Sequence, residues 1–151
     1  MKVHFDILRK IRASVLSLID GYTLEQLHSI PHGFKNHIAW NVTHLVVTQQ
    51  LLHYTLSSRD CLVSDELINQ YKKGTTPKKI LTQEAFDRVI ALFKELPDVL
   101  EEDYNKGVFI KYREYPTSTG FVLDSIDKAI VFNNMHESLH LGVIMSLKKL
   151  V

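Results

Sequence analysis

Two histidines stand four residues apart in the stretch NNMHESLHLGVIMSL: His136 and His140, with Glu137 directly after the first. On a helix that spacing is about one turn, so both rings project from one face. Two neutral imidazoles so placed can reach one divalent ion, and imidazole nitrogen suits zinc, nickel, copper and iron. The plainer reading is a helix face that happens to carry two histidines. A third, His44, lies far upstream on the polar edge of an otherwise apolar segment. A buried imidazole needs a partner or must stay uncharged. His44 can meet that need by hydrogen-bonding a backbone carbonyl, or by joining His136 and His140 on one ion. Three protein ligands leave at least one position for water or substrate, which is the arrangement of catalytic rather than structural sites.

The string H-E-S-L-H also matches the zinc-protease pattern, in which the glutamate is the general base. The extended form of that pattern places a third histidine where Ser146 stands and a glycine where Val143 stands. Little in the sequence promises a sheet to align a peptide, so a protease is not the reading drawn here. Glu137 stays open as a catalytic base, a carboxylate near the site, or a solvated helix charge. Asn133, about one turn before His136, either orients a ligand or bound water or is an exposed polar residue. His37, two turns before His44, reads as a surface histidine, with the rim of the site as the other option. A fourth protein ligand, from Glu137 or His37, would close the site and make it structural. His4, His28, His32 and His53 show no pairing pattern.

These residues need long helices to position them. Leu8, Ile11, Val15 and Leu18 recur at three- and four-residue steps, which predicts an amphipathic helix over about 3–20, stopped near Gly21. Thr23 caps a short turn, and Pro31 to Gly33 break the chain. Asn36 is the expected N-cap of a second helix over about 36–58. Ile38, Val42, Leu45, Leu52 and Leu56 form one apolar face of it; Trp40, Val47, Leu51 and Tyr54 form another. His37, Asn41, His44, Thr48 and Thr55 share the strip that remains. A helix apolar on two sides is mostly buried, and its second face leaves room for a dimer surface. Ser64 caps a short connecting helix. A third long helix starts at Thr82, buries Phe86, Val89, Ile90, Phe93 and Leu100, and is expected to kink or break at Pro97. NKGVFIKYREYPTSTG reads as a long loop with an extended piece around Val108 to Tyr112. Its Lys111, Tyr112 and Arg113 read as a solvated loop, with contact to an anionic thiol or substrate as the other option. The last helix runs from about Phe121 or Asp124 to Leu150.

Four long helices with little strand signal give an all-α chain, and the long connections allow a bundle with crossovers. At 151 residues, 45% hydrophobic and +1 in formal charge, one ordinary domain is expected, with no electrostatic case for nucleic acid or an anionic membrane. The one cysteine, Cys61, permits no internal disulfide and fits a reducing compartment. It reads as a plain unpaired thiol. Charged residues interrupt every apolar run of MKVHFDILRKIRASVL, so no signal peptide or membrane span is expected. A cytoplasmic location follows as the expectation.

Taken together, NHIAWNVTHLVVTQQLLHY, the lead-in GYTLEQLHSIPHGFKNHIAW and the closing YPTSTGFVLDSIDKAIVFNNMHESLHLGVIMSLKKL resemble the DinB-like superfamily. This group includes the YfiT-type metal-dependent proteins and the bacillithiol- and mycothiol-dependent transferases. The likeness covers nearly the whole chain. It implies a four-helix bundle of up-up-down-down-type order, with short extra helices in the connections. It also implies a divalent ion, zinc or nickel, held by His44, His136 and His140, and a homodimer. The implied activity is attack of a low-molecular-weight thiol on a small electrophile. The alternatives are a metal-dependent hydrolase and a non-enzymatic metal-binding stress protein.

Overall fold

Thr23, Ser64, Thr82 and Ser125 each accept a hydrogen bond from the backbone N–H three residues on, and each opens a helix. The chain is described by a computed structural model covering residues 1–151. Its helices are α1 (Lys2–Ile19), α2 (Leu24–Leu27), α3 (Ile38–His53), α4 (Asp65–Tyr71), α5 (Gln83–Asn105) and α6 (Ile126–Leu147). Single 3-10 turns, Thr55–Ser57 and Lys148–Leu150, extend α3 and α6. The cap of α3 is His37 rather than Asn36: its Nδ1 accepts from the Trp40 N–H at 2.9 Å. The only strands, β1 (Tyr115–Pro116) and β2 (Val122–Leu123), make a small antiparallel hairpin. The extended segment thus lies beyond the expected Val108 to Tyr112, because the Thr117–Gly120 turn, closed by Thr117 N–H to the Phe121 carbonyl, sets where the strands can pair. No helix is long and apolar enough to cross a membrane.

α1 packs on α5 and α6, and α3 packs on the same two, so α1 and α3 face each other across the diagonal of a four-helix bundle. Side-chain bonds give the directions. Asn134 donates to the His4 carbonyl and Tyr22 to the Lys148 carbonyl, so α1 and α6 run the same way. Gln49 donates to the Leu96 carbonyl and Tyr54 to Asp103, so α3 and α5 run together. Arg9 meets Asp98 and Glu101 while Arg12 meets the earlier Phe93, so α1 runs against α5. The order is therefore up-down-down-up, not the up-up-down-down type implied by resemblance. The physical reason lies in the connections: only one, from α3 to α5, has to run the length of the bundle. That return leg carries α4. It covers the second apolar face of α3, where Trp40 and Val47 pack on Tyr71. The face offered in the sequence as a dimer surface is thus occupied within the chain.

The core is built from Val15, Val42, Leu45, Phe93, Leu96 and Ile144, among others. Each such side chain contributes roughly 1.5–3 kcal/mol relative to exposure. A polar layer crosses this core. Arg12 and Glu137 are buried and joined by two bonds, Nε to Oε2 at 3.1 Å and Nη2 to Oε1 at 2.8 Å. Asn133 donates to Glu137 at 3.0 Å and Arg12 donates to Gln49 at 3.2 Å. All four long helices take part, because Arg12 also donates to the Phe93 carbonyl of α5 at 3.0 Å. That carbonyl is the one whose i+4 partner is Pro97, which has no N–H to give. α5 runs on through Pro97 without a break, with the freed carbonyl satisfied from α1.

Candidate metal centre

α3 and α6 run antiparallel and in contact. This brings His44 of α3 against His136 and His140 of α6. One ligand atom from each ring can be chosen so that all three lie within 4.8 Å of one another. Ring centroids are 5.3 Å apart for His44 and His136, 4.9 Å for His44 and His140, and 4.6 Å for His136 and His140. An ion bound tetrahedrally at ~2.0–2.1 Å holds its nitrogens roughly 3.3 Å apart, so modest side-chain rotation gathers the set.

The free nitrogens are selected by hydrogen bonds on the other side of two rings. His44 Nδ1 donates to the Tyr71 carbonyl at 2.6 Å, and His140 Nδ1 donates to Asn41 Oδ1 at 2.8 Å. Both acceptors require hydrogen on Nδ1, which leaves Nε2 of each ring with a lone pair. Metal-ligating imidazoles are fixed in the same way by a carbonyl or carboxylate behind them. Asn41 is itself anchored, donating from Nδ2 to the His37 carbonyl at 2.9 Å and to Asn36 at 3.2 Å. The Trp40 ring stacks on His44 at 4.7 Å, and Thr48 Oγ1 lies 3.2 Å from its Nε2. His136 Nδ1 is buried with no hydrogen-bond partner, the kind of orphan that a bound ion resolves.

Burial keeps the rings neutral. It pushes His136 down to about 3, assisted by His140 and His44, and His140 down to about 4, assisted by His44. His44 is lowered as well, burial outweighing the Tyr71 carbonyl. Three neutral imidazoles are the form that binds a cation. The donor set fits a borderline divalent ion.

Glu137 and Asn133 take no direct part in the cluster. The Glu137 carboxylate is held by Arg12 and Asn133 and is fully buried, not the solvated helix charge that was one expectation, and it is not among the residues lining the adjacent cavity. Asn133 is buried rather than exposed and serves Glu137. His37 is buried rather than surface-exposed, and caps α3 instead of closing the coordination set. His28 is paired: its Nδ1 donates to the Leu24 carbonyl at 2.8 Å and its Nε2 accepts from the Leu81 N–H at 3.1 Å. His53 is fully buried. Sequence reasoning missed Asn41 and the Tyr71 carbonyl as orienting groups. Asn41 carried a signal, three residues before His44 on the same strip, whereas a backbone carbonyl carries none.

Beside the histidines lies a cavity of about 390 Å³. His44, His136 and His140 line it, with Leu52, Leu56 and Phe132 as apolar wall and Arg113 and Tyr115 from the hairpin side. The hairpin is held there by the Arg113 N–H on the Leu56 carbonyl at 2.7 Å and by Tyr112 Oη on the Leu52 carbonyl at 3.0 Å. The coordination set is thus open on one side to a space of ligand size.

Among curated proteins, none matches the chain significantly. The family model described as the DinB superfamily matches residues 7–144, a span that takes in most of the four long helices and all three clustered histidines. On that match, together with the all-α bundle, the chain belongs to the DinB superfamily.

Proposed function

We propose that the chain is a metal-dependent enzyme acting on small molecules. In this reading zinc or nickel is held by His44, His136 and His140, and a low-molecular-weight thiol is the co-substrate of an S-transfer. The observation that carries it is the pair of Nδ1–H groups fixed by Tyr71 and Asn41, which aims two lone pairs into a shared opening. A divalent ion there supplies Lewis acidity, making a thiol or a water nucleophilic near neutral pH. The chain's own residues bind, orient and exclude water. Tyr71 and Asn41 hold two imidazoles in one tautomer. Trp40 keeps the His44 ring in place from behind. Leu52, Leu56 and Phe132 keep bulk water from the reacting atoms. Thr48 offers a hydroxyl beside His44 Nε2.

Metal analysis of the purified protein is expected to show about one divalent ion per chain, with most of it lost in His140→Ala. Metal-dependent conjugation of monochlorobimane to a small thiol is the expected activity. Ester cleavage with no thiol-dependent conjugation would assign a hydrolase instead. Protein free of metal with all three histidines intact would refute the metal reading.

A further inference from the structure

Of the 18 lysines and arginines in the chain, five pair with a carboxylate, and what sets two of the others apart is the cavity they share. Arg9, Arg88, Lys106 and Lys128 are each paired with a carboxylate, and Arg12 is paired in the core. Lys73 and Arg113 pair with none. They come from separate connections, the leg between α4 and α5 and the segment before β1, yet both are exposed and both line the cavity beside the histidines. No aspartate or glutamate lines that cavity. A cleft edged by one sign of charge over apolar walls concentrates ions of the other sign. The main chain at Arg113 is fixed beside the cavity, its backbone N–H donating to the Leu56 carbonyl. Guanidinium and ammonium groups at a wet rim suit a carboxylate or a phosphate.

Building on the metal-site reading, we infer that Lys73 and Arg113 form an anion-binding rim. The cavity then takes an organic oxyanion: a carboxylate or phosphate at the mouth, an apolar segment against Leu52, Leu56 and Phe132, and the reacting group at the histidines. Lys73 and Arg113 are specificity determinants here, not catalytic residues.

The test compares 2-naphthoate with the neutral, nearly isosteric 2-naphthamide by NMR titration at low salt, in zinc-treated and in chelator-treated protein. Metal content is measured separately on each sample. The expected result is about tenfold tighter binding of the carboxylate in both forms, shrinking with added salt. In Lys73→Gln/Arg113→Gln the preference is expected to fall to within about twofold while naphthamide binding stays unchanged. Equal affinity for the two probes, or binding of neither, overturns the rim. A preference that survives the double substitution in the chelator-treated protein overturns it too, because the carboxylate then sits elsewhere. Failure to hold zinc sinks the metal reading alone, since the chelator-treated arm still reads the charge preference.

Discussion

Glu137→Gln removes one charge from the buried pair with Arg12 and leaves the side chain's shape. The consequences follow from burial. Arg12 is 2% exposed and Glu137 0%, so no solvent reaches the guanidinium once its counterion is gone. Gln49 and the Phe93 carbonyl still accept from Arg12, but neither carries charge. Leaving one charge of a buried pair uncompensated costs about 3–5 kcal/mol. That is a fifth or more of the ~5–15 kcal/mol total of a typical domain. Arg12→Met/Glu137→Leu removes both charges and is expected to recover most of the loss, because the desolvation cost disappears with them. It leaves Gln49 and the Phe93 carbonyl short of a donor and Asn133 Nδ2 short of an acceptor, so the recovery is incomplete. The assay is urea unfolding of the two variants and both single substitutions, in low and high salt. A buried pair is screened little, so added salt is expected to change the coupling only slightly. Metal content is measured alongside and is expected to persist in any variant that remains folded. A Glu137→Gln cost below about 1 kcal/mol, or additive single and double effects, would refute the account of this layer.

Asn41→Ala removes the acceptor behind His140; zinc affinity is expected to fall about 10–100-fold, read by competition with a chromophoric chelator. Zinc at 100 times its Kd is expected to add about 2.7 kcal/mol, raising Tm by roughly 5–11 °C, with little shift in His140→Ala. The pH dependence of metal-free stability follows from the buried histidines, the three of the cluster and two outside it. Burial lowers His53 to about 3, and burial with His28 nearby lowers His37 to about 4, from 6.5 in the unfolded chain. The unfolded chain therefore binds the extra protons as pH falls below 6.5, so stability is complete above that value and declines towards pH 4. Each imidazole contributes up to about 1.4 kcal/mol per pH unit. His37→Asn keeps a capping side chain without the titration, and urea unfolding at pH 7, 6 and 5 is expected to show a shallower slope; an unchanged slope would count against the assignment.

Much of this protein was legible one residue at a time. Hydrophobic repeats and the caps Thr23, Ser64 and Thr82 mark helices because local hydrogen bonding and side-chain spacing depend on near neighbours. The spacing of His136 and His140 places two rings on one face for the same reason. Direction and partnership were another matter. Whether α3 runs along or against α6 decides whether His44 meets the other two rings, and that depends on how the return leg with α4 threads the bundle. Pro97 looked like a break because its missing N–H is a local fact, while the Arg12 guanidinium that answers it arrives from a distant stretch of chain. Glu137 looked like a base or a solvated charge because a helix position alone does not say which face meets a buried arginine. His44 showed two alternatives, a carbonyl bond or a place in the cluster, and the fold grants both because imidazole has two nitrogens and Tyr71 occupies only one. Residue types and periods set what each segment can form; long-range packing decided which polar atoms face one another, since that choice is made only when the helices come together.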